Sequence, residues 1–324
     1  MTEPRTSTGK PFFVVGPGRS GTTLLRTILD CHDDIRVPGE THFYTTFRVE
    51  HPLLFHSKDP ARFARLVHAF ATSRHFDGQF IDRERFVRQA SEGHPPQAKT
   101  LLLKYLEHHA AVVGASCFGE KTPGHIRALH KIRNDFGDVP IIVVMRNPHA
   151  VVASYLNHSL YARVFGDDVM RAVNKWIEAA KIVRARLRDP KLYLLTYEDL
   201  VTHPESEIDR LFDFLGVGKQ PDVMERVQAH GASIKPASKN HSNIGEPVTT
   251  ARIDAWWDRL SEENIALIDT MTESHLGLFG YAPAGGKARA SRLKVARRQI
   301  RFQARFAQYG VSKLSQAAAR KLAP

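Results

Sequence analysis

Apolar residues fall in short runs, separated by stretches whose apolar positions follow helical spacing. PFFVV (11–15) is a continuous apolar run bounded by Pro and Gly, the pattern of a buried strand. From Thr22 to Asp30, Leu24, Leu25, Ile28 and Leu29 take the spacing of one helix face. DIRVPGE (34–40) predicts a second short strand ending at Gly39–Glu40, and CFGEKTP (117–123) a strand end running into a loop. VPIIVVM (139–145) is β-branched and apolar on both faces, as parallel strands are. The chain then predicts a helix over 147–159, with Asn147 as N-cap and Pro148 in the first helical position. LYLLTYEDL (192–200) reads as another strand and its exit, and 204–215 and 261–276 as amphipathic helices. Residues 58–112 are mostly helical in pattern, broken at SEGHPP (91–96). Strands alternating with helices predict an α/β domain with a central parallel sheet, and no internal repeat interrupts it.

The first strand and helix are joined by a glycine-rich turn, VVGPGRSGTTLLRTILD (14–30). Gly16, Gly18 and Gly21 let the backbone turn tightly and bring N–H groups to an anion, and the helix beginning near Gly21–Thr22 adds its positive end. Ser20, Thr22 and Thr23 supply hydroxyl donors and Arg19 a fixed charge. A nucleotide-hydrolysing loop would carry lysine after Gly21, where Thr22 stands. The strand at 141–145 runs into Arg146 rather than into an aspartate that could hold Mg²⁺. Both absences speak against γ-phosphoryl transfer, which needs a clamp and a metal. No H-E-x-x-H or C-x-x-C occurs, so no metal site is expected.

GPGRSGTTLLRTILDCHDDIRVPGET resembles the phosphosulfate-binding segment of sulfotransferases that use 3′-phosphoadenosine 5′-phosphosulfate (PAPS), closest to the tyrosylprotein-type and related bacterial enzymes. The resemblance continues through EKTP (120–123), VVMRNPHAVVASY (143–155), LTYEDLVTHP (195–204), FLGV (214–217) and ARIDAWW (251–257), covering about residues 11–281. It implies a P-loop-like three-layer domain, a central parallel sheet flanked by helices, with PAPS as donor. It also implies direct in-line transfer of a sulfuryl group to an acceptor hydroxyl. Arg19, Ser20, Gly21, Thr22 and Thr23 would cradle the 5′-phosphosulfate, and Arg146 and Ser154, as an R-x₇-S pair, would hold the 3′-phosphate. Tyr197 would lie against the adenine or a phosphate, or in the core. Glu40 is the expected general base, with His42 its rival. His42 stands where the tyrosylprotein enzymes carry arginine. Burial would raise the pKa of Glu40, and Arg19 and Lys121 would lower it. Lys121 would join Arg19 in stabilising charge on the departing oxygen. His158 replaces a further arginine of those relatives, and SIKPASKNHSNIGEP (233–247), with Lys239 and Ser242, takes the place of their nucleotide-covering loop. Trp256 and Trp257 read as packing residues.

Charge refines this picture at one end. The net charge is +12, but eleven of the 46 Lys and Arg lie in 282–324, a stretch with no acid, which leaves 35 basic against 34 acidic residues before it. We therefore expect a sulfotransferase domain over 11–281, with 44–115 a helical acceptor-side insertion, and a basic amphipathic tail over 282–324. The tail (287–321) would meet an anionic membrane surface, a second subunit or its own domain. Nucleic acid is not expected, since the rest of the chain is nearly neutral. The acceptor is expected to be a hydroxyl-bearing small molecule, glycan or lipid. Two cysteines, no membrane-length apolar run and a polar start, MTEPRTSTGK, predict a cytoplasmic protein, peripheral to a membrane at most. Alternative readings are a P-loop nucleotide kinase and a catalytically idle nucleotide-binding membrane adaptor.

Overall fold

The computed structural model describes residue 9 and residues 11–157, 168–233, 248–285 and 290–322. His158, Lys239 and Ser242, singled out above, lie outside the described residues. The chain forms two compact units, one running to Met145 and resuming over Arg186–Val248, the other comprising Arg146–Ala185 and the chain from Thr249 onward.

The first unit is built on five parallel strands: β1 (Phe12–Val15), β2 (Ile35–Arg36), β3 (Cys117–Lys121), β4 (Ile141–Met145) and β5 (Leu192–Thr196). Their order is β2-β3-β1-β4-β5. The register aligns Phe13 with Glu120 on one side of β1 and with Ile141 on the other. Strand alternation sends Phe12, Val14, Ile142 and Val144 to one face, where they bury against Leu25, Ile28 and Leu29 of α1 (Thr22–Asp30) and Leu211 and Phe212 of the helix Pro204–Leu215. Each such side chain contributes about 1.5–3 kcal/mol when fully buried. Phe13 points to the opposite face, against Phe136 at 5.5 Å.

Residues 44–115 are helical, as their pattern predicts, but their aromatic side chains are spent on a core of their own. Phe47, Phe63, Phe70, Phe86 and Tyr105 are buried, and Phe70 meets Tyr105 edge-on at 5.0 Å.

The second unit contains the helices Pro148–Leu156, Asp168–Arg184, Glu262–Leu276 and Arg292–Leu322, and buried Trp176 on the second of them donates its indole N–H to the Arg146 carbonyl at 2.8 Å. Asn147 caps the first of these, its Oδ1 accepting the His149 N–H at 2.9 Å. Trp256 packs as expected, buried and stacked on His149 at 4.5 Å, whereas Trp257 is half exposed. The basic C-terminal helix belongs to this unit. Gln299 exchanges hydrogen bonds with Asn174 at 2.9–3.0 Å, and Phe302 is buried, while Leu293, Ile300 and Phe306 face outward. This places the helix on its own domain, one of the options open for the tail. Among the described residues no helix is long and apolar enough to cross a membrane.

Candidate active site

A parallel sheet directs the carboxyl ends of all its strands to one edge, and the chemistry gathers there. The glycine-rich loop follows β1, Glu40 lies four residues beyond β2, Lys121 ends β3, and Tyr197 follows β5 directly. Arg146 directly follows β4 along the chain and opens the second unit.

The loop is shaped by what its glycines leave out. A Cβ on Gly16 would lie 2.3 Å from the Val144 carbonyl oxygen, and the Gly16 N–H donates to the Pro123 carbonyl at 3.1 Å. Gly21 has φ +90° and caps α1 without any side-chain hydrogen bond to the helix N–H groups. The Tyr197 ring packs behind it, so that an added Cβ would meet Tyr197 Cδ2 at 2.5 Å. Tyr197 is thus buried as a support for the loop. Arg19 sits at φ +70°, a left-handed conformation uncommon outside glycine.

Ser20 Oγ is fully buried and has no hydrogen-bond partner among the described residues. An orphaned buried hydroxyl costs about 1–3 kcal/mol, and an anion in the cradle would remove that cost. Together with the uncapped N-terminus of α1, it makes this loop fit a phosphate or sulfate oxygen. Substituting Gly21 by alanine is expected to strain this turn and push Tyr197 away. The melting temperature should fall by several degrees, and binding of adenosine 3′,5′-bisphosphate should weaken, as read by thermal shift with and without nucleotide.

Beside the loop, Lys121 Nζ donates to Glu40 Oε1 at 2.6 Å and reaches Thr23 Oγ1 at 3.5 Å. Glu40 Oε2 lies 3.1 Å from His42 Nε2. The Lys121 side chain is buried, whereas those of Glu40 and His42 are about one-third exposed. The competition over Glu40 has a clear outcome. Burial raises its pKa, but the hydrogen bond to His42 and the charge of Lys121 outweigh that and bring it from 4.5 to about 2. Lys121 is lowered by burial, and Glu40 offsets part of the loss.

Sequence reasoning missed the layer beneath this pair. Glu120 is fully buried and accepts from Thr41 Oγ1 at 2.7 Å, Thr122 Oγ1 at 2.6 Å and His125 Nδ1 at 2.7 Å. His125 Nε2 accepts the Tyr44 N–H at 3.1 Å, which assigns its proton to Nδ1. Burial raises the pKa of Glu120, but His125 and the two hydroxyls hold it below the ordinary range. The network clamps Thr41 and Thr122, the residues that flank Glu40 and Lys121. Its sequence signal was the alternation in E-T-H (40–42) and E-K-T (120–122), in which neighbouring side chains face opposite ways.

In the second unit the Arg146 guanidinium donates to the Arg252 carbonyl at 2.7 Å, and Ser154 is partly buried on the helix Pro148–Leu156. Cys31 and Cys117 are free thiols, each pushed up mainly by burial, to about 11 and about 12. Neither is an activated nucleophile.

Fold and site together define an α/β protein whose glycine turn has the shape and free donors to fit an oxyanion, with a lysine–carboxylate pair at its side. The Sulfotransferase family model matches residues 11–221, and the chain belongs to that family. It is a PAPS-dependent sulfotransferase, moving a sulfuryl group from PAPS to an acceptor hydroxyl. Among its relatives, protein-tyrosine sulfotransferase A of Caenorhabditis elegans is 24% identical over 282 residues, covering 84% of this chain and 68% of that protein. Protein-tyrosine sulfotransferase 1 of Danio rerio is 24% identical over 281 residues, covering 84% and 72%. The sulfotransferase domain from the curacin biosynthetic pathway shares the fold with a TM-score of 0.60 at 16% identity, covering 85% of this chain and 98% of that one. These relatives correct one expectation. Cytoplasmic placement rested on two cysteines and a polar start, and the match to animal protein-tyrosine sulfotransferases overturns it.

Proposed function

We propose that Glu40 is the general base of sulfuryl transfer and that Lys121 stabilises the departing bisphosphate, with a tyrosine-type phenol as the acceptor. The observation that carries this reading is the Lys121–Glu40 pair at 2.6 Å with Thr23 of the loop at 3.5 Å. A cation and a carboxylate side by side serve the two ends of an in-line displacement, one oxygen losing a proton while the other gains charge. Arg19, Ser20, Gly21, Thr22 and Thr23 hold the phosphosulfate, supported by the orphaned Ser20 hydroxyl and the uncapped helix end. Tyr197 contributes by supporting Gly21.

Two points favour a phenol over a glycan or lipid alcohol. The relatives are protein-tyrosine sulfotransferases by name. A carboxylate as weakly basic as Glu40 also matches a hydroxyl of pKa about 10 far better than an aliphatic alcohol. Incubation with [³⁵S]PAPS and a tyrosine-containing peptide should yield labelled tyrosine O-sulfate. Label appearing only on aliphatic alcohols offered in parallel would refute the phenolic acceptor.

Arg146 and Ser154 take the 3′-phosphate, on the support of their R-x₇-S spacing and of the position of Arg146 directly after β4. Arg146→Ala is expected to weaken adenosine 3′,5′-bisphosphate by about 1.5–3 kcal/mol, the scale of a hydrogen bond to a charged group. Calorimetry giving the same affinity for adenosine 5′-phosphate and the bisphosphate in the wild type would remove the 3′-phosphate assignment. The kinase alternative is not favoured, since Thr22 stands in the lysine position and Arg146 follows β4 where a metal-binding aspartate would be needed.

A further inference from the structure

Sulfation of a hydroxyl releases one proton. The acceptor O–H bond breaks as the O–S bond forms, and the electron pair of the bridging S–O bond leaves with the bisphosphate. Glu40 can take that proton but is built to shed it, since Lys121 donates to its Oε1 at 2.6 Å and favours the ionised form. The proton needs a next station.

Resting on the assignment of Glu40 as base, we infer that His42 is a proton-relay residue that drains Glu40 to solvent. Four observations carry this. His42 Nε2 lies 3.1 Å from Glu40 Oε2, the oxygen opposite the one Lys121 holds. The His42 side chain is about one-third exposed, so it touches both carboxylate and water. Its backbone is held at φ +49°, in the left-handed region where a non-glycine residue is strained. That strain is fixed from several sides. The His42 N–H donates to Thr122 Oγ1 at 3.2 Å, and its carbonyl accepts from Thr45 N at 3.1 Å and Phe47 N at 3.2 Å, closing the π-helical turn Phe43–Phe47. Thr122 is in turn bonded to buried Glu120. A costly backbone conformation held this firmly turns the imidazole back toward Glu40.

His75 completes the arrangement. Its ring centroid is 4.9 Å from that of His42, and it hydrogen-bonds the Glu40 backbone. Burial, then His42 and Arg74, lower the His75 pKa, against a smaller opposing effect of Glu50. A second positive charge is therefore disfavoured beside His42. Glu40 receives the acceptor proton, His42 in its Nδ1–H tautomer accepts it at Nε2, the imidazolium releases its Nδ1 proton to water, and exchange with water returns the ring to the Nδ1–H tautomer. The charged groups around this path are Glu40, Lys121 behind it, Glu120 through Thr122, and Arg74 and Glu50 around His75.

The test is His42→Asn, which tolerates the left-handed backbone. With [³⁵S]PAPS and a tyrosine-containing peptide, turnover should fall roughly 10- to 100-fold while bisphosphate affinity by calorimetry stays the same. Added imidazole should restore part of the rate in His42→Ala. An independent reading needs no turnover: the His42 Nε2 chemical shift should change in Glu40→Gln. Wild-type rate in His42→Asn, or an unmoved Nε2 signal in Glu40→Gln, would overturn the relay. Inactive Glu40→Gln beside fully active His42→Asn would sink the relay alone, and fully active Glu40→Gln would sink the base assignment beneath it.

Discussion

Glu40→Gln is expected to bind adenosine 3′,5′-bisphosphate as the wild type does and to lose about 10²–10⁴-fold in turnover. Glutamine keeps the shape of the side chain and its contacts to Lys121 and His42 but cannot take a proton. The loss should fall on kcat rather than on donor KM, because Glu40 stands beside the cradle and not within it. Steady-state kinetics with [³⁵S]PAPS reads both quantities. A variant with wild-type kcat would show that the carboxylate only orders Lys121.

The second large effect is expected for Lys121→Met. If Lys121 has the role proposed for it, removing this buried cation should cost about 10²–10³-fold in kcat. It should also leave a pH signature. Glu40 is brought to about 2 against the lifting effect of burial, and Lys121 supplies much of that pull. A carboxylate whose folded pKa is depressed stabilises the fold above its unfolded pKa, and that contribution disappears as pH falls from the ordinary 4.5 toward 2. Without Lys121 the Glu40 pKa returns toward the ordinary range. The acid-unfolding midpoint should therefore move to higher pH, while Glu40→Gln, which removes the titrating group, should show no such linkage. Acid titrations followed by circular dichroism, compared between the two variants, check this. An unshifted midpoint in Lys121→Met would show that His42 alone sets the acidity of Glu40.

Much of the scaffold was legible because it obeys local rules. PFFVV and PIIVVM are too apolar and too short for anything but buried strands, and the Asn147–Pro148 pair marks a helix start by capping chemistry alone. The tight turn after β1 was legible for a similar reason, since Gly16 and Gly21 stand where the backbone has no room or no allowed conformation for a side chain. What stayed hidden depends on contacts across long sequence distances. Glu120 in GEKTP reads like a surface carboxylate, and only the approach of Thr41 and His125 makes it a satisfied buried charge. The sign of the Glu40 shift could not be read either, because burial and pairing oppose each other and only distances decide between them. The left-handed His42 gives no local signal, since FYTTF suits a strand or a helix equally and the π-turn arises from packing. In 44–115 the aromatic residues were visible, but not that they would consume one another.

The strand order has a consequence for assembly in time. β1 is made before the other strands of its sheet, yet its two neighbours, β3 and β4, begin at Cys117 and Ile141, more than a hundred residues downstream. Gly16 closes against Val144, so the glycine turn has no floor until β4 is in place. A nascent chain therefore carries its most recognisable motif long before that motif can grip anything. Maturation of the cradle is a late, non-local event, slowed by the closure of a long loop.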